Sequence, residues 1–182
     1  VVCSDYVSAQ VALLGADGLT VVARSLIHSG SEEPGLSMGL SGDVMLPGSP
    51  HEAGLALLID RPHGVLTWVA TPPAEVVRQF PLSVDFAPTP HDSLEAPDGS
   101  LFVTRYGSDP DGLLGGDDVA VFGVDGALVQ TITFTPTGTP SRPDRLARFG
   151  DDVLVTLNHV KADFATWGSG RYARATRFGD TW

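Results

Sequence analysis

Apolar residues in this chain fall in blocks of roughly four to eight, alternating or continuous, and nowhere at the three-to-four spacing of an amphipathic helix. Between residues 90 and 135 the blocks make one complete unit of four strands, A to D. Strand A is His91 to Glu95. The turn Ala96 to Ser100 follows, where Pro97 fixes φ and Gly99 takes the positive φ of a tight reversal. Strand B is the aromatic and β-branched run Leu101 to Tyr106. A glycine and aspartate loop, Gly107 to Asp118, leads to strand C, Val119 to Phe122. The turn Gly123-Val124-Asp125-Gly126 returns the chain into strand D, Ala127 to Phe134, and apolar strands flanking Asp-Gly predict a hairpin.

Laid over the rest of the chain, the unit repeats. Upstream, Gly42 to Leu46, Leu55 to Arg61, Val65 to Ala70 and Val76 to Leu82 fit A, B, C and D. Downstream, Pro143 to Ala147, Val153 to Asn158 and Arg171 to Phe178 fit A, B and C. At the other end, Val1 to Tyr6, Val11 to Leu14 and Leu19 to Ile27 fit B, C and D. Asp43, Asp92 and Asp144 recur 49 and 52 residues apart, a spacing suited to a four-stranded propeller blade. The expected fold is an all-β propeller in one domain: a partial blade at 1–29, blades at 42–83 and 90–135, and a partial blade at 142–182. Fourteen strands suggest about three and a half blades of a longer ring; the rival is a compact four-bladed ring with degenerate ends. Ala53 to Ile59 has the propensity of a short helix, but its place in the repeat assigns a strand. Continuous apolar runs such as Leu55 to Ile59 and Val119 to Phe122 imply strands covered on both faces, as in packed blades.

Composition narrows the possibilities. At 182 residues and 42% hydrophobic the chain can bury a substantial core. A formal net charge of −11 argues against nucleic acid or an anionic membrane as partner, because phosphates are repelled. No apolar run reaches the roughly 20 residues of a membrane span. The single cysteine, Cys3, excludes an intrachain disulfide. Its place in strand B predicts a buried small residue, against the reading of Val2-Cys3 as a lipidated terminus.

Pro97-Asp98-Gly99 followed by Phe102-Val103-Thr104-Arg105 resembles the Pro-Asp-Gly…Tyr-Val-Thr-Asn signature of seven-bladed repeat propellers in bacterial and archaeal surface and periplasmic proteins, and Leu154 to Asn158 is a looser copy. The chain also looks like exported propeller lipoproteins of myxobacterial type. Arg105 stands where that signature has asparagine, and the blade around Leu55 to Arg61 lacks it. The resemblance implies export to the periplasm, outer membrane or exterior.

In an up-and-down blade, the start of A and the end of B lie on one face of the disc. That rule gathers Asp43, His91, Asp92 and Asp144, with Arg142 and Arg145, beside Asp5, Tyr6, Asp60, Arg61, Arg105, Tyr106, Asn158 and His159; the loop residue His63 joins them. The ligand-binding candidates at the expected channel mouth are Asp43, Arg61, His91, Asp92, Arg105, Tyr106, Asp144 and Asn158.

Each residue type allows a structural reading beside the functional one. An aspartate opening strand A can accept backbone N–H bonds. Arg105 can bind an anionic ligand through its planar fork or pair with Asp92 or Asp144. His63, His91 and His159 suit a metal by type, though their spacing matches no local motif. The loop Asp109-Pro110-Asp111-Gly112 to Asp117-Asp118 gathers carboxylates of the kind calcium favours, or is a solvated acidic loop. Gly35-Leu36-Ser37-Met38-Gly39 matches Gly-x-Ser-x-Gly but lies between two strands, without the helix that a nucleophile elbow needs. The expected function is a non-catalytic, exported binding scaffold for a protein or small-molecule ligand, with no cofactor. The alternative is a hydrolase resembling the propeller lactonases, using a divalent cation such as calcium.

Overall fold

The computed structural model describes residues 1–182 apart from 33, 52, 53, 83–85, 112, 114, 135–138, 162 and 178–180. The expected blade ends at Ser83 and Thr135, the end of the last strand at Phe178, the loop glycine Gly112 and the segment start at Ala53 lie outside the described residues. All fourteen strands form, and no helix occurs among the described residues. They make four antiparallel sheets, each an up-and-down meander in chain order, the blades of a β-propeller.

Two compact units divide the chain. The first, residues 1–46 and 51–87, holds a three-stranded sheet of β1 (Val2–Ser4), β2 (Ala9–Leu14) and β3 (Val21–His28), and a four-stranded sheet of β4 (Val44–Met45), β5 (Leu55–Asp60), β6 (Val65–Ala70) and β7 (Glu75–Pro81). Its core joins the two sheets: Ala9, Val11 and Ile27 pack with Val44, Leu58 and Val69. The second unit, 47–50 and 88–182, holds β8 (Pro90–Glu95), β9 (Leu101–Ser108), β10 (Gly116–Phe122) and β11 (Leu128–Thr133), then the three-stranded β12 (Pro143–Phe149), β13 (Asp152–Leu157) and β14 (Arg171–Ala175). Here Phe102, Val119 and Val121 meet Leu146, Val153 and Val155, and Trp182 adds an edge-on ring to Phe102. Strands β5, β6, β9 and β10 are buried at nearly every consecutive position, which accounts for their unbroken apolar runs.

One burial expectation is corrected. Cys3 is exposed. Side chains alternate across a strand, and β1 turns Val2 toward the core while Cys3 sits outward beside Gln10.

Aspartates make the turns. Asp5, Asp17, Asp98, Asp109, Asp125 and Asp163 each accept the backbone N–H two residues on, at 2.9–3.2 Å. At Asp17, the Thr20 hydroxyl and the N–H groups of Thr20 and Leu19 hold the carboxyl down to about 2. Part of the chain's acidity is therefore turn chemistry and needs no ligand to explain it.

In the first unit Gly42 lets two backbones touch. Its carbonyl accepts the Tyr6 N–H at 2.8 Å, and a Cβ there would lie 2.3 Å from the Tyr6 carbonyl carbon and the Val7 nitrogen. Gly42→Ala is expected to cost about 1–3 kcal/mol, because backbone cannot step aside as a side-chain tip can. Gly30→Ala, whose Cβ meets nothing nearer than 3.4 Å, is the near-neutral control. Urea midpoints of the two variants measure the difference; equal midpoints would refute the close approach.

Candidate functional site

Register decides which residues of different blades are equivalent. Val44 pairs with Asp60, Pro90 with Arg105, and Pro143 with Leu157. The following B-strand residues, Arg61, Tyr106 and Asn158, donate N–H to the carbonyls of Asp43, Thr89 and Arg142. Equivalent positions one residue into strand A are therefore Met45, His91 and Asp144. The recurring aspartates are not equivalent: Asp43 lies two positions before that slot and Asp92 one after it. Unequal loops let similar spacings hide a slip in register.

Strand A opens in the same way in both blades of the second unit. Thr89 and Arg142 take positive φ, 46° and 50°, directly before Pro90 and Pro143. Asp117 holds the second opening by accepting the N–H groups of Ser141 and Arg142 at 2.8 and 2.5 Å. A bulge follows in each case, between Pro90 and Ser93 and between Pro143 and Leu146. The threonine across from it, Thr104 or Thr156, accepts N–H bonds from Asp92 at 2.8 Å or Arg145 at 2.9 Å. A bulge re-aims the residues it carries, here His91 and Asp144.

These two residues meet. His91 Nδ1 lies 2.8 Å from Asp144 Oδ1, with side-chain exposures of 18% and 27%. The His91 ring stacks on Tyr106 of the neighbouring strand β9, with centroids 4.1 Å apart and planes at 8°. The hydrogen bond from His91, aided by one from Asn158, holds the Asp144 carboxyl below its usual value against the opposing effect of burial. Asp144 is then ionised at neutral pH, and its oxygen accepts from Nδ1–H of His91. Arg142 completes the cluster: its Nη1 donates to the Tyr106 carbonyl at 2.5 Å, and its guanidinium carbon lies 5.3 Å from the Tyr106 ring centre. The patch thus holds a fixed imidazole, a carboxylate, an amide and a nearby cation.

Of the eight candidates, His91, Tyr106, Asp144 and Asn158 come together here. Asp43 and Arg61 belong to the first unit, where they pair at 2.6 Å. In that unit buried Asp60 accepts the N–H groups of Ser41 and His63, and the His63 ring lies 3.2 Å from its carboxylate. Asp92 is 1% exposed and accepts three backbone N–H groups, from Gly48, Ser93 and Leu146, at 2.7, 3.0 and 2.9 Å. That is the structural role of an aspartate opening a strand. Arg105 is buried and forks onto Asp118 of β10 through two 2.7 Å bonds, so its partner is neither Asp92 nor Asp144. His159 is buried, with φ 49°.

The other motifs resolve into local structure. Asp109 accepts N–H bonds from Asp111 and Leu113, Asp117 holds the opening of β12, and Asp118 faces Arg105, so these carboxylates serve three different partners. No group of three or more His, Cys, Asp or Glu residues able to hold a metal occurs among the described residues. Ser37 donates from both N–H and hydroxyl to the Gln79 amide oxygen, latching its loop onto β7. The residues that sequence reasoning placed loosely, Arg142 above all, were signalled by Pro90 and Pro143. Aligning these prolines rather than the aspartates puts His91 and Asp144 in one slot.

No protein-family model matches the chain, and a search of curated proteins returns no match. Solved structures do resemble it. A protein of unknown function from Bacteroides caccae aligns with TM-score 0.50 and 13% identity over 96% of this chain and 56% of its own. A streptogramin B lyase aligns with TM-score 0.46 and 10% identity over 75% of this chain and 40% of its own. Virginiamycin B lyase from Staphylococcus aureus aligns with TM-score 0.47 and 9% identity over 74% and 45%. The chain spans 40–56% of the length of these structures. The likeness to the Bacteroides caccae protein is one of fold.

Proposed function

We propose that this chain is a β-propeller binding scaffold that recognises a polar ligand or partner at the patch of His91, Asp144, Asn158 and Tyr106 without catalysing a reaction. One observation carries the reading: the His91 ring is held on both its edge and its face, by Asp144 at 2.8 Å and by Tyr106 at 4.1 Å between centroids. A group fixed in this way before a ligand arrives spares the ordering cost of binding. The resemblance to exported repeat propellers supports a periplasmic or envelope-associated setting, which cell fractionation of the tagged protein tests.

The same hydrogen bond favours one second reading. An imidazole oriented by a carboxylate is the arrangement of a general base, and a lactonase-like hydrolase would use Nε2 to take a proton from water. Of the groups such a site needs, Asp92 is sealed by backbone N–H bonds, whereas His91 and Asp144 hold each other.

The experiment offers the chain immobilised panels of oligosaccharides and peptides, and separately assays hydrolysis of sugar lactones. Binding is expected in the first panel, lost in His91→Ala and Asp144→Ala and kept in Arg61→Ala. Lactone hydrolysis that vanishes in His91→Ala would overturn the non-catalytic reading in favour of the enzyme, and a panel ligand bound equally by all variants would remove the patch from the function.

A further inference from the structure

Arginine is rarely buried without a carboxylate beside it, because a low-dielectric surrounding leaves the cation uncompensated. Arg142 departs from that rule. It is 8% exposed, and its guanidinium donates only to carbonyl oxygens, from Nη1 to Tyr106 and from Nε to Val160 at 3.4 Å. Among the described residues no carboxylate pairs with it, and neither N–H of Nη2 makes a hydrogen bond. Two acidic residues that could serve are engaged elsewhere: Asp117 accepts the backbone N–H groups of Ser141 and Arg142, and Asp144 holds His91.

Tyr106 repeats the pattern. It is 7% exposed, its ring carries the Arg142 cation at 5.3 Å and the stacked His91, and its hydroxyl makes no hydrogen bond although a buried phenol ordinarily finds one. Neither that hydroxyl nor Nη2 is sealed from solvent. Two adjoining side chains, each more than nine-tenths buried, therefore reach the surface through an unpartnered donor.

An acceptor with negative charge completes such a pair. A carboxylate meets the planar guanidinium fork and takes the phenol hydroxyl as well. The neighbours narrow the choice. Asp144, with a side chain 27% exposed, can accept a ligand hydroxyl, and the Asn158 amide can donate or accept. The carboxylates of Asp117 and Asp144, in a chain of formal charge −11, penalise a dianion more than a monoanion.

We propose that Arg142 and Tyr106 hold the carboxylate of a sugar-type hydroxy acid, whose hydroxyl groups bond to Asp144 and Asn158. The inference rests on the His91 patch as the binding site and names the class of ligand that it takes.

The test titrates the intact chain calorimetrically with D-glucuronate, D-glucose and D-glucose 6-phosphate. Glucuronate is expected to bind about ten-fold or more tightly than either comparator, since glucose lacks the charge and the phosphate brings a second one. Arg142→Met and Tyr106→Phe are each expected to weaken glucuronate binding about ten-fold. Their unfolding midpoints are expected to hold: the phenol oxygen makes no bond within the fold, and removing an uncompensated charge offsets the carbonyl bonds lost with Arg142. If Arg142→Met does not fold, Tyr106→Phe decides. Equal binding of glucose, tighter binding of glucose 6-phosphate, no binding of glucuronate, or glucuronate bound equally by Tyr106→Phe would overturn the proposal. Failure here differs from failure of the patch itself. An uncharged panel ligand lost in His91→Ala but kept in Arg142→Met and Tyr106→Phe would keep the patch and overturn this ligand class. Glucuronate binding lost in Tyr106→Phe but kept in His91→Ala would uphold the carboxylate site and remove His91 from it.

Discussion

Replacing Arg105 with alanine is expected to destabilise the protein by about 3–5 kcal/mol. The reason is Asp118. It is fully buried, and both of its oxygens take 2.7 Å hydrogen bonds from the Arg105 fork. Deleting the arginine leaves a carboxylate in a place with little water, so the cost is that of the stranded charge rather than the strength of the pair. The double variant Arg105→Met with Asp118→Leu is therefore expected to recover most of the loss, since it removes both charges and keeps apolar volume. Urea unfolding of the three proteins measures this. A single-variant cost below about 1 kcal/mol would mean that the pair behaves like an exposed one. In that case an anionic ligand would again be a sensible partner for Arg105.

The second large effect separates two aspartates that look alike in the sequence. Asp92→Ala removes the acceptor for the buried N–H groups of Ser93 and Leu146, each costing about 1–3 kcal/mol when left unsatisfied, and for the part-buried N–H of Gly48, for a loss of roughly 2–6 kcal/mol. Asp144→Ala breaks a half-exposed pair with His91 and is expected to cost less than about 1 kcal/mol. Its consequence should appear in binding at the His91 patch instead. Thermal and urea unfolding of both variants, beside the ligand panel, give the comparison. If Asp144→Ala unfolds as easily as Asp92→Ala, the patch is a structural staple.

The two aspartates show where reading the chain by spacing stops. Asp43, Asp92 and Asp144 are nearly evenly spaced, yet the hydrogen-bonded register puts them at three different places relative to strand A. One step along a strand carries a side chain to the opposite face, so Asp92 is buried while Asp144 stays partly exposed. Cys3 went astray by the same arithmetic: it lies in the expected strand but on its outward face. Arg105 was placed on the correct strand, but its partner was sought in Asp92 or Asp144 when it is Asp118 on the following strand.

The fourteen strands, the turns between them and the absence of helix among the described residues were all contained in the sequence by itself, because period-two patterning, proline and glycine punctuation and aspartate turn chemistry act over a few residues. The tertiary structure alone decided which charges neutralise one another and that His91 lies between Asp144 and Tyr106. Those outcomes depend on the register between strands and the packing between sheets, where a one-residue shift changes every partner and leaves the local pattern untouched.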